Sequence, residues 1–217
     1  MKSAFTLAEV LITLGIIGIV ASLTMPALVQ DARKKEVSSR LAKFYSMMSQ
    51  ALLTSEQENG LIEDWGKQAM QYDEDGNYDT NANSEISDAF FRKYIAPYFK
   101  YVSAEKDADF NYYTKVALAD GSVMHVRNGG CYDIYYDING DKKPNDIGRD
   151  KFFFIICTPI NSAKAYFDYG MHFGPYCAPK ADTREEAIEL CKKNRNFCAR
   201  ILQMDNWEIK DDYPVKI

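Results

Sequence analysis

Histidine is nearly absent from this chain: His125 and His172 are the only two. No two cysteines form a Cys-x-x-Cys pair, so the ligand spacing of a zinc site is missing. There is no P-loop, no Gly-x-Ser-x-Gly elbow, no His-Glu-x-x-His motif and no dinucleotide-binding glycine pattern. His172 stands near Cys177 and Asp168, but nothing around them supplies the lowered thiol pKa or the positioned base that a cysteine nucleophile needs. The expectation is a protein without catalytic chemistry. Excess basic charge is lacking too. Lys and Arg number 26 against 31 Asp and Glu, a net charge of −5, so no global field attracts nucleic acid, and none is expected as a partner.

Cysteine is missing from the first 130 residues. All five lie beyond them: Cys131, Cys157, Cys177, Cys191 and Cys198. Disulfides on an oxidising side of a membrane are the natural reading, and an odd count leaves at least one thiol free or paired outside the chain. Cys191 with Cys198 would close a short loop. Cys131 with Cys157, or Cys157 with Cys177, are further pairings, and sequence alone does not choose between them.

Charge is also lacking from one long stretch. Val10 to Val29 is 20 residues with no charged side chain. As a helix it spans about 30 Å, the thickness of a bilayer's hydrocarbon core. A cleaved secretory signal has a stronger basic start and a shorter apolar segment. Here Lys2 is the only basic side chain before the run, and an acid, Glu9, stands at its front. An unpaired carboxylate at the edge of lipid is costly, so it reads as functional, although an acid also suits the positive end of a helix dipole. Lys2 favours a cytoplasmic N-terminus. Arg33, Lys34 and Lys35 argue the other way under the positive-inside rule, and the cysteines decide for an extracytoplasmic head.

The stretch Ala4-Phe5-Thr6-Leu7-Ala8-Glu9, with the apolar run behind it, resembles the processing segment of type IV prepilins and type II secretion pseudopilins. The resemblance covers about the first 30 residues, with Ala4 where glycine is commoner. It implies a leader at 1–4, cleavage by a prepilin peptidase between Ala4 and Phe5, and N-methylation of Phe5. It implies that Glu9 pairs with the new amine of a neighbouring subunit, setting register, as a buried ion pair does better than it stabilises. Pro26 sits where pilin helices bend. The implied partners are other pilin or pseudopilin subunits, an inner-membrane assembly platform and membrane lipid. The implied location is the bacterial inner membrane, then a periplasmic or cell-surface filament. The alternative is a membrane-anchored extracytoplasmic binding module that does not polymerise.

Beyond the run, Val37, Leu41, Phe44, Met48, Ala51 and Ser55 recur at spacings of three and four. That is one stripe of a 3.6-residue period, with Glu36 and Arg40 paired on the other face. Asn59-Gly60 supplies the stop. The expectation is one helix over 5–58, its part at 5–30 crossing the membrane, and a globular head over 59–217. Residues 73–83 read as a solvated loop, with Ser84 capping a helix to about Phe99 and Pro97 distorting its last turn. Period-two stretches at 112–118 and 123–127 flank Asp120-Gly121 as a hairpin, and 131–138 and 151–157 give two more strands. Four antiparallel strands against the long helix make a pilin-like α+β fold. Between the last two strands, Asp137, Asn139 and Asp141 alternate like the first half of a calcium loop. Lys142 replaces the expected glycine and Gly148 the expected glutamate. The competing reading is a loop held by Asx turns and Pro144, with Asp150 bonding backbone amides. No other cofactor is expected. Thr183 and Glu186 form a capping box ahead of a helix to about Lys193, a short helix or else a strand follows at 198–204, and Trp207 and Ile209 belong to a packed strap.

Overall fold

The computed structural model describes residues 6–107, 113–140, 142–168 and 170–217. Helix α1 runs over Leu7–Asn59, 53 residues or about 80 Å. It starts at Thr6 and ends where Gly60 takes φ 81°, a backbone conformation that favours glycine, while its N–H caps the carbonyl of Glu56. The helix continues through Pro26. Proline lacks the N–H that would reach back four residues to Ser22. From Leu7 to Val29 the large apolar side chains are exposed. From Val37 onward one stripe is buried: Val37, Leu41, Phe44, Met48, Ala51, Leu52 and Ser55. The predicted stripe and the buried one coincide, because the 3.6-residue period leaves only one face to cover.

That stripe lies on a six-stranded antiparallel sheet of order β1-β2-β3-β4-β5-β6. The strands are β1 Ser103–Asp107, β2 Tyr113–Ala117, β3 Val123–Asn128, β4 Tyr132–Asp137, β5 Lys151–Ile156 and β6 Phe173–Pro175. The fold is α+β, a long N-terminal helix on an antiparallel sheet, as expected. The four predicted strands are the inner ones, β2 to β5. The two edges were not predicted. Strand β1 reads Ser-Ala-Glu-Lys-Asp and is largely exposed, so it has no apolar alternation and carries the charge that protects a sheet edge. Strand β6 is three residues and ends in proline.

Alternation along the strands gives the sheet two faces. The face toward α1 carries Val126, Ile134 and Phe154 in one cross-strand row and Met124, Tyr136 and Phe152 in the next. Phe44 of α1 stacks on Tyr136 at 4.0 Å between ring centroids and meets Phe154 edge-on at 5.2 Å. The opposite face packs a smaller cluster, in which Phe153 and Ile155 of β5 meet Cys131, Cys157, Ala163 and Phe167.

The helix predicted from Ser84 begins earlier. Helix α2 is Thr80–Phe90, capped by Asp79, whose carboxylate accepts from the amide of Ala82. Ser84 is buried inside it and its hydroxyl bonds back to Asn81. Asp79 and Ser84 are both good caps, and the packing of Asn83 against Gln71 and Asn128 settles the start. The expected distortion before Pro97 is a π-helical turn at Phe91–Ile95, where the amide of Ala96 reaches the carbonyl of Phe91. After the short α3, Ile160–Ala163, the chain forms β6, then α4, Arg184–Lys193, and α5, Cys198–Met204. Thr183 and Glu186 make the predicted capping box. The C-terminal strap packs inward through Trp207 and Ile209, and Ser38 of α1 donates to the carbonyl of Trp207.

Candidate functional site: the N-terminal helix and the head it carries

Ala4 and Phe5 lie outside the described residues. Glu9 lies in the first turn of α1. There its carboxylate accepts from the backbone amide and the hydroxyl of Thr6, both at 2.9 Å, and its own amide donates to the Thr6 hydroxyl at 3.3 Å. This is a full capping box, which satisfies two of the donors that a helix start leaves free. Thr6 was not singled out from sequence. The signal was available: Thr-x-x-Glu at 6–9 repeats the Thr-x-x-Glu pattern at 183–186.

Behind Glu9 the helix is exposed and apolar on every side. Its most apolar 18-residue window has a mean hydropathy of 2.2, and none of that window is buried in the head. A cylinder apolar all round, with no protein against it, is a candidate membrane span. Gly15 and Gly18 have nothing within 4 Å of a built Cβ, so neither is explained by packing inside this chain.

The head stays fixed to the helix beyond this span by polar contacts as well as the core. Lys34 pairs with Asp211 at 2.9 Å, and Arg40 donates to the carbonyls of Asp120 and Ile138. The predicted Glu36–Arg40 pair is present at 3.0 Å. Arg184 grips Asp212 through two nitrogens and also reaches Asp205, itself bound by Lys210.

Two disulfides staple the head, Cys131–Cys157 and Cys191–Cys198. Cys177 is the free cysteine and is buried. The pairing of Cys157 with Cys177 is thereby excluded. Burial pushes the Cys177 thiol up from its ordinary value, the opposite of an activated nucleophile. Its neighbours in sequence are engaged elsewhere: His172 Nδ1 lies 2.7 Å from the carbonyl of Cys157, and Asp168 pairs with Lys180 at 2.6 Å.

In the 137–150 loop, Asp141 lies outside the described residues. Asp137 is buried and its carboxyl is pushed up to about 6 by that burial, against the pull of the Asn139 amide and Lys151. Asp150 accepts from the amides of Asn145 and Asp146 at 2.9 and 2.6 Å. A calcium ion would have to displace these donors. Among the described residues, no group of three or more His, Cys, Asp or Glu side chains is placed to hold a metal ion.

Together these features define a class: a compact, disulfide-stapled α+β head carried on a single helix whose free half suits a membrane. The chain belongs to DUF6613, a family of unknown function, which matches residues 27–217. The matched region takes in the second half of α1 and the whole head. No curated protein and no solved structure matches the chain.

Proposed function

We propose that this protein is a structural subunit, a pseudopilin or minor pilin, of a type IV pilus-like or type II secretion filament. It is inserted in the inner membrane with its N-terminus cytoplasmic and its head extracytoplasmic. It is cut by prepilin peptidase before Phe5, and it assembles through α1 with other subunits on an inner-membrane platform. The observation that carries this reading is the single acid at the front of the exposed apolar half of α1, four residues beyond Phe5. An apolar half-helix can leave lipid only for an equally apolar surrounding, such as a bundle of like helices. Cleavage would create an amine at Phe5, while the Phe5–Thr6 amide that donates to Glu9 would survive. Glu9 would then exchange part of its capping box for a cation on the next subunit, a stronger partner in an apolar setting.

One observation favours the second reading, an anchored binding module that does not polymerise: Thr6 satisfies Glu9 within its own chain. Two variants separate them. Under the assembly reading, Glu9→Leu inserts normally but fails to enter filaments, whereas Thr6→Val still enters. Under the anchor reading the two behave alike, because each loses the same cap. Incorporation of Glu9→Leu into sheared or cross-linked filaments at the wild-type level overturns the assembly reading.

A further inference from the structure

An open cleft of about 400 Å³ lies between α2, the π-helical turn that follows it, the 66–68 segment and the start of β4. A row of rings forms its floor. Tyr132 stacks on Phe90 at 3.6 Å, and Phe90 meets Tyr94 at 5.3 Å. A lysine stands over each end of this row. The Lys67 ammonium is 4.9 Å from the Tyr132 centroid, and the Lys93 ammonium is 4.7 Å from that of Tyr94. Ile86, half-buried, and Ala89, exposed, give the cleft an apolar flank on α2. Among the described residues, no aspartate or glutamate lines it.

Two cations sharing a cleft without an acid stand out in a chain whose net charge is −5. Elsewhere on the head, lysines meet carboxylates, as Lys43 meets Asp120 and Lys180 meets Asp168. Lys67 and Lys93 form no ion pair among the described residues. Neutral acceptors hold Lys67 instead: the Gln68 carbonyl at 2.6 Å and Asn128 Oδ1 at 2.5 Å. Asn128 is fully buried and donates its own amide to Asn83, so the lysine is positioned from the interior. An ammonium has three N–H donors, and these two acceptors use two of them. Burial pushes Lys67 down to about 8, and the charge of Asp133, which acts from outside the cleft, only partly opposes this. A partly buried cation that no acid neutralises, facing a second cation across a concave site, attracts an anion. The apolar flank suits one with a hydrocarbon part rather than an inorganic ion. We propose that this cleft binds an organic carboxylate, its charge held by Lys67 and Lys93 and its hydrocarbon part against Ile86 and Ala89. The proposal concerns the head alone and stands whether or not the protein polymerises.

The test uses the full chain in a polyoxyethylene detergent, whose headgroup carries no charge to compete. Phenylacetate, hexanoate and adipate are titrated calorimetrically, with phenylacetamide and inorganic phosphate beside them. At least one of the three acids should bind saturably. Lys67→Met and Lys93→Met should each weaken it by about tenfold or more. Lys192→Met, on α4 where Lys192 pairs with Glu189, should leave it unaltered. Circular dichroism checks that each variant folds. Lys67→Met takes a partner from Asn128, so if it fails to fold, Lys93→Met, on the exposed rim, decides alone. Binding by none of the acids overturns the proposal, as does wild-type affinity in either folded lysine variant. Phenylacetamide binding as tightly as phenylacetate overturns the role of charge. Saturable phosphate binding with no acid bound overturns the proposal in favour of an inorganic-anion site.

Discussion

Asp133 illustrates what a single residue costs this fold. Burial pushes its carboxyl up to about 6 from 3.8, although Arg127 and Lys67 attract the charge. A raised carboxyl pKa means that the folded state holds the proton more tightly than the unfolded one. Its effect is absent below about pH 4, stability falls as pH rises through the window from 3.8 to about 6, and the full penalty stands above it. Asp133→Asn removes the ionisable group, so it should raise stability at pH 7.5 by about 1–3 kcal/mol. Denaturant midpoints at pH 7.5 and pH 4 check this: the gain should shrink toward zero at the lower pH. An equal gain at both, or a loss at pH 7.5, contradicts it. The tension at Asp133 was not visible in sequence, because Asp133 and Tyr135 alternate with apolar residues as any solvated strand face does. Only the cover laid over that face by Ala163, Tyr166, Phe167 and Tyr176 makes it an interior.

Among the elements, α1 was the most legible. Six positions at helical spacing predicted its buried stripe, and a Gly with positive φ ends it where Asn-Gly predicted. Phe44 anchors that stripe, with Tyr136, Phe154, Phe99 and Phe173 around its ring. Phe44→Ala should cost about 3–5 kcal/mol and loosen the head from its helix. Leu28→Ala, on the exposed half, should leave the head's unfolding unchanged. Guanidinium titrations of the two variants, followed by near-ultraviolet dichroism, distinguish these outcomes, and equal effects would refute this division of the helix. The disulfides also differ. Cys131–Cys157 closes a separation of 26 residues and Cys191–Cys198 one of 7. Chain entropy makes the first worth about 3.5 kcal/mol and the second about 2.4 kcal/mol. Replacing each pair by serines should lower the denaturant midpoint in that order. The strands β1 and β6 escaped sequence reading for different reasons: one is mostly polar and charged, with no apolar alternation, and the other is too short to show a period. The cap of α2 escaped because two good capping residues stood five apart, and the packing of Asn83 against Gln71 and Asn128 decided between them.

At the scale of the whole molecule, the two halves of one helix have different surroundings. The outer half has no protein around it and a composition that suits lipid; the inner half is the spine of a stapled head. The division fell in the sequence at the first charges after Val29, and the structure places the onset of burial at Val37. Which side chains meet on the head's outer sheet face was not legible, because strand pairing brings distant positions together: it sets Arg127 opposite Asp133. At the other end, Ala4→Leu should leave an uncleaved precursor in the membrane, since the expected peptidase needs a small residue before the cut. Equal amounts of mature chain from wild type and variant would contradict this.

The most direct measurement is the intact mass and N-terminal residue of the protein purified from its own membranes. The account predicts a chain that begins at N-methylated Phe5. A chain that still begins at Met1, or one that begins beyond Pro26, would contradict it.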